Sequence, residues 1–203
     1  MRSRGANTRS EILRAGAAIV REGGPMRLTF DEIAARLGVS KQAVIYWFPN
    51  KEALIASLAL PALRAETDAA IAALAGVPPG MAAVRAFAHA LIDFHLSDLD
   101  RFRLTYIAVQ MPGASVEPSP DLKEQIHATT RPMYDAIEDL LTHVPKARRR
   151  PSAMAIHMAV LGFVLLTSLS DTVRDPLLHR RAELVAALLA ILAPEDAVEG
   201  RDR

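Results

Sequence analysis

Between Thr29 and Leu54 the chain spells two short helices joined by a single glycine turn, and no other stretch restricts the fold as tightly. Thr29 is followed three residues later by Glu32. That is the spacing of a capping box, in which the hydroxyl accepts from the backbone N–H of the third residue and the carboxylate reaches back. A helix is predicted to begin there. Ile33, Ala34 and Leu37 continue it at helical spacing, and Gly38 supplies the left-handed backbone that ends a helix without a Cβ penalty. Val39 is expected to plug the joint. Ser40 is placed to N-cap a second helix running to about Trp47, Pro49 interrupts it, and Asn50 caps a further helix from Lys51.

Successive helical residues step by about 100°, so Val44 and Phe48 share one face and are predicted to pack on the helix that starts at Thr29. Gln42, Ala43, Tyr46 and Trp47 fall on the opposite arc, with no carboxylate among them. Such a surface suits a DNA major groove, because Gln can bond an adenine edge and Ala can meet a thymine methyl. Ser40, Tyr46 and Lys51 are better placed for phosphates, which fix register without reading sequence. Thr29 and Lys41 complete the expected DNA-binding set. Trp47 stays open between a groove-facing aromatic and a core aromatic at the helix end.

Charge divides the chain in the same way. Residues 1–56 hold nine Lys and Arg against five Asp and Glu, whereas residues 57–203 hold fifteen against eighteen. Only the N-terminal part carries the electrostatic footprint of a polyanion partner.

The run from Thr29 to Leu54, with Gly38-Val-Ser-Lys and Tyr46-Trp-Phe-Pro-Asn-Lys-Glu-Ala-Leu54, resembles the DNA-binding domain of TetR-family transcriptional regulators. Many members carry a phosphate-contacting Tyr five residues after the Ser that opens the recognition helix. Here that place holds Ile45, with Tyr46 one step later. The resemblance implies an all-α chain with an N-terminal three-helix DNA-binding domain (residues 1–50) and a helical ligand-binding and dimerisation domain (51–194), and the charged composition after Pro194 predicts a disordered tail (195–203).

Upstream, Thr8-Arg-Ser-Glu11 forms a second capping box, followed by Ile12, Leu13, Ala17, Ile19 and Val20 before Gly23-Gly24. This is the supporting first helix, and Gly16 within it either permits close packing or weakens the helix. Residues 1–7 read as a flexible basic arm. Downstream, helices are predicted at 51–75 with Pro61 inside, 79–97, 98–111, 121–143 with Pro132 inside, 152–173 and 178–192. Residues 145–151, including Arg148-Arg-Arg150, read as a basic connector.

Met154, Met158, Leu161 and Leu165, with Leu184 and Leu188, present more apolar surface than one small domain needs to cover. An isologous dimer would bury it, and the resemblance implies a four-helix interface between the last two helices and their symmetry mates. It also implies a small-molecule cavity enclosed by the preceding helices. Candidate lining residues are Phe87, Phe94, His95, Phe102, Tyr106, Gln110, His127, Arg131, Tyr134 and Phe163, with Met133 and His157 beside them. The aromatic share favours a hydrophobic or aromatic effector, whereas an Arg131 facing the cavity would favour an anionic group.

No catalytic residue is predicted. One Glu-x-x-His step, Glu124 to His127, occurs where a di-iron bundle needs two. A helix joins His89 to Asp93 and turns His95 away, so no metal and no cofactor are expected. The chain has no cysteine, and it lacks a signal-like apolar start, which predicts a cytoplasmic protein. Ala153–Leu169 is apolar but shorter than the roughly 20 residues of a membrane span, so a buried helix is expected. The predicted function is a homodimeric repressor released from a palindromic double-stranded DNA operator by a small hydrophobic effector. An activator using the same domain, or a helical ligand-binding enzyme of ferritin-like type, is the alternative.

Overall fold

The computed structural model describes residues 3–107, 120–173 and 179–194. Among these the chain is helical throughout, without a strand. The helices are α1 (Ser3–Gly23), α2 (Phe30–Leu37), α3 (Lys41–Trp47), α4 (Lys51–Leu74), α5 (Met81–Leu96), α6 (Leu99–Phe102), α7 (Pro120–Leu140), α8 (Lys146–Val173) and α9 (Arg181–Leu192). The chain divides into two compact units, one of Met1–Ala65 with Asp98–Thr130, the other of Glu66–Ser97 with Arg131–Arg203. Two of the three boundaries fall inside α4 and α7, and the third lies between α5 and α6.

The first unit closes around Ile12, Ile19, Leu28, Ile33, Val44, Phe48 and Leu54, all essentially inaccessible to solvent. Full burial of side chains of this size stabilises by about 1.5–3 kcal/mol each. Gly16 resolves toward close packing, because a Cβ there would meet the Leu28 and Leu58 methyls at 3.3 and 3.4 Å. After α6 the backbone widens into a π turn at Arg103–Ile107, where an uninterrupted α-helix was expected, and it carries Leu104 into the same core. The second unit packs α5 against α8 and α9. Ala83, Val84, Phe87, Ala88, Leu91 and Ile92 form the buried stripe of α5, and Met133 and Ile137 form that of α7. The Arg85 guanidinium donates to the Ala193 carbonyl at 2.6 Å and ties down the end of α9.

Three expectations are corrected. First, α1 starts at Ser3, so residues 3–7 are helical backbone rather than a loose arm and Thr8 lies inside the helix. Once a helix is nucleated each added residue costs little, and no Pro stops it before Thr8. Second, the basic connector is the first part of α8, which begins at Lys146 and contains Pro151. Arg150 reaches α7, pairing with Asp135 and, at 2.7 Å, with Glu138, and those tertiary contacts override the local Pro signals. Third, the longer α8 makes Lys146–Leu169 long and apolar enough to cross a membrane by length and composition. Its burial is one-sided: Ala153, His157, Val160, Val164 and Ser168 are buried, whereas Met154, Met158, Leu166 and Leu169 are exposed. The expected tail at 195–203 and the candidate Gln110 lie outside the described residues.

Candidate functional site

The turn between α2 and α3 is built by three local devices. Thr29 Oγ1 accepts from Glu32 N at 3.1 Å, Gly38 sits at φ 64°, and Ser40 Oγ accepts from Ala43 N at 3.2 Å. The expected return contact of the capping box is replaced by an ion pair, since Glu32 accepts from Arg27 at 2.7 Å. Asn50 caps α4 by accepting from Ala53 N at 2.7 Å. Val39 does not plug the joint. Its N–H bonds to the Ala34 carbonyl at 3.0 Å and its side chain is exposed, while Val44 and Leu28 occupy the core.

The phase of α3 separates two roles. Val44 and Phe48 are buried, and the Arg9 guanidinium lies 5.2 Å over the Phe48 ring. Gln42 faces solvent, Ala43 is half-buried, and Tyr46 is 80 % exposed. Trp47 packs on the edge of the core, with its ring 5.3 Å from that of Tyr46 at nearly a right angle. Of the two aromatics, Tyr46 is the one presented outward. Lys41 donates to Asp31 at 2.9 Å, and Lys51, at the start of α4, is half-buried. Arg36 clamps α2 to α1 through both oxygens of Glu22, at 2.8 and 2.5 Å. That hydrogen bond holds the Glu22 carboxyl below the usual carboxylate range.

The second unit contains a polar cluster the sequence did not disclose. Glu66 of α4, His95 of α5 and His157 of α8 are each at least 95 % buried. Glu66 Oε1 lies 2.8 Å from His157 Nε2 and 3.3 Å from His95 Nε2. Burial pushes the Glu66 carboxyl up, but hydrogen bonding from His157 and then His95 outweighs it and lowers the group to about 2. Tyr134 Oη shares a 2.7 Å hydrogen bond with His157 Nδ1, and burial followed by the Glu66 charge raises its phenol above the ordinary value. The Phe87 ring stands edge-on to His157 at 6.4 Å, and the Phe94 ring stands 5.2 Å from His95.

Of the expected effector residues, Phe87, Phe94, His95 and Tyr134 therefore converge on one place. Phe102 and Tyr106 belong to the first unit, where their rings lie 5.4 Å apart. His127 and Arg131 are exposed, and Arg131 approaches Asp135 at 3.9 Å. Phe163 is half-buried on α8. His89 and Asp93 pair at 2.9 Å as the helical spacing required, and they border an open groove of about 780 Å³ between α5 and α9 that also includes Arg181, Val185 and Leu189. Glu66 and His157 had one signal, a polar residue at a buried phase of an apolar helix, but nothing in the sequence joined them.

Residues 12–58 match the family model for bacterial regulatory proteins of the tetR family, and residues 84–192 match that for the tetracyclin repressor-like C-terminal domain. Among solved structures, the protein SCO4313 superposes with a TM-score of 0.71 at 21% identity, over 94% of this chain and 97% of its own. PfmR of Thermus thermophilus, a TetR-family transcriptional regulator, gives 0.64 at 19% identity over 96% and 97%. FadR of Bacillus subtilis, solved in complex with stearoyl-CoA, gives 0.64 at 14% identity over 91% and 97%. No curated protein matches the chain by sequence.

Proposed function

The chain belongs to the TetR family of bacterial regulatory proteins, and from that premise we propose that it is a homodimeric repressor whose hold on a palindromic operator is released by a small hydrophobic effector. One observation carries the DNA reading: a short helix capped by Ser40, anchored by Val44 and Phe48, with Gln42 and Tyr46 outward. In this reading residues 1–50 bind DNA and residues 51–194 bind effector and dimerise. Gln42 and Ala43 meet base edges. Ser40, Lys41, Tyr46 and Lys51 meet phosphates, with Lys41 exchanging Asp31 for the backbone. Thr29 acts through its cap and Trp47 through the core.

The effector reading rests on Phe87, Phe94 and Tyr134 around the buried cluster of α4, α5 and α8, and on the fold shared with a FadR that was solved with stearoyl-CoA. Effector binding shifts α4, which starts at Lys51, and a coupling of about 1–3 kcal/mol is typical of such linkage. The dimer reading rests on Met154, Met158, Leu165 and Leu184, all exposed, with Leu161 and Leu188 half-buried beside them. Met158, 69 % exposed, gives a clean test. Met158→Glu should change the stability of the monomer by less than about 0.5 kcal/mol yet shift the chain to monomer in light scattering, and an unchanged dimer would place the interface elsewhere.

Gel shifts at a fixed salt concentration test DNA recognition. Gln42→Ala should cost about 1–3 kcal/mol on the specific fragment and little on random DNA, whereas Lys51→Ala should weaken both alike and flatten the salt dependence. Equal loss on specific and random DNA for Gln42→Ala would remove it from base readout. A wild-type chain that shifts no genomic fragment at moderate salt would overturn the proposal as a whole.

A further inference from the structure

Burying one carboxylate and two imidazoles together is expensive, with a penalty of several kcal/mol for an isolated ion even after relaxation. Apolar residues of similar volume would pack the same space more cheaply. The arrangement is also not that of a simple hydrogen-bonded pair, because His95 Nε2 and His157 Nε2 both approach one carboxylate oxygen, Glu66 Oε1. The three side chains can each offer one ligand atom within 4.8 Å of the others. Bonds of about 2.0–2.1 Å to a tetrahedral centre place neighbouring ligand atoms about 3.3 Å apart. The observed 3.3 Å from Oε1 to His95 Nε2 matches that spacing, and the 2.8 Å to His157 Nε2 is half an ångström shorter, so the His157 and Glu66 side chains would part by that much to admit an ion.

We propose that Glu66, His95 and His157 form a binding site for a divalent transition-metal ion of the zinc type. Two imidazoles and one carboxylate are the ligand set such ions accept, and three protein ligands leave one coordination position for water. The hydroxyl of Tyr134 supplies the second observation. A ligating histidine is normally fixed through its other ring nitrogen, and Tyr134 Oη is 2.7 Å from His157 Nδ1. A hydroxyl both donates and accepts. It can therefore accept from Nδ1–H when Nε2 carries its lone pair toward a metal, or donate to Nδ1 when Nε2–H points at Glu66. The site gathers α4, α5 and α8 inside one unit, and α3 belongs to the other.

The test uses the full chain, stripped by a chelator and dialysed free of it, then titrated calorimetrically with zinc chloride and, in parallel, with cobalt chloride followed by visible absorption. One saturable zinc per chain is expected, with a raised melting temperature and the strong ligand-field bands of tetrahedral cobalt lacking thiolate charge transfer. Tyr134→Phe should weaken zinc about tenfold, and Glu66→Gln and His157→Gln should weaken it further. His89→Ala, which breaks the exposed His89–Asp93 pair, should leave it unchanged. If Glu66→Gln and His157→Gln fail to fold, Tyr134→Phe and the cobalt spectrum decide. No saturable zinc on the wild-type chain, full affinity retained in the folded His157→Gln variant, or equal loss in His89→Ala would each overturn the site.

Discussion

Phe48→Ala should unfold the DNA-binding unit at a cost of about 3–5 kcal/mol, while Tyr46→Ala, two residues away on the same helix, should leave stability within about 0.5 kcal/mol of wild type. Phe48 is 1 % exposed and supports the Arg9 guanidinium, and Tyr46 is 80 % exposed. Truncating the first removes buried area and leaves a cavity next to Val44 and Leu54, so α3 loses its anchor. Truncating the second removes only an outward hydroxyl and ring. If that hydroxyl bonds a phosphate, its loss should weaken DNA binding about tenfold, the scale of one hydrogen bond to a charged group. Urea denaturation of both variants with gel shifts of the folded one checks the pair. Equal destabilisation of the two would mean that the phase of α3 is misassigned.

The second large effect lies in the other unit. In metal-free protein Glu66→Ala should cost about 3 kcal/mol, because it removes the carboxylate on which two buried imidazoles converge, and breaking a buried polar pair from one side is far costlier than replacing it whole. Glu66→Leu combined with His157→Phe should therefore cost less than the sum of the single changes, by on the order of 1 kcal/mol or more. Strict additivity in urea unfolding would show that the two side chains do not act as a unit.

What could be read in advance follows from how local each interaction is. The α2–α3 turn was legible because Thr29, Gly38, Ser40 and Asn50 act within four residues of their partners, and the buried phase of Val44 and Phe48 follows from helix geometry alone. Trp47 could not be placed from phase, since its neighbours in the core come from other helices. The start of α8 was hidden because Pro145 and Pro151 signal a break locally, while the pairing of Arg150 with Asp135 and Glu138 is tertiary. The Glu66, His95 and His157 cluster was hidden for the same reason in stronger form. Three helices supply one residue each, at positions 66, 95 and 157, so no short spacing motif exists. His95 did share the apolar face of Val84, Phe87, Ala88 and Leu91, and His157 did interrupt an apolar helix. Each looks like a satisfied core histidine until the fold brings them together.

Selection of bound sequences from a random double-stranded DNA pool by the purified full-length chain tests the central claim most directly. A homodimer reading DNA through α3 should enrich an inverted repeat whose half-sites are centred about 34–36 Å apart, one helical turn, or a multiple of it, and Gln42→Ala should erase the preference at one position in each half-site. Enrichment of no sequence, or of a single site without two-fold symmetry that survives Gln42→Ala, would contradict it.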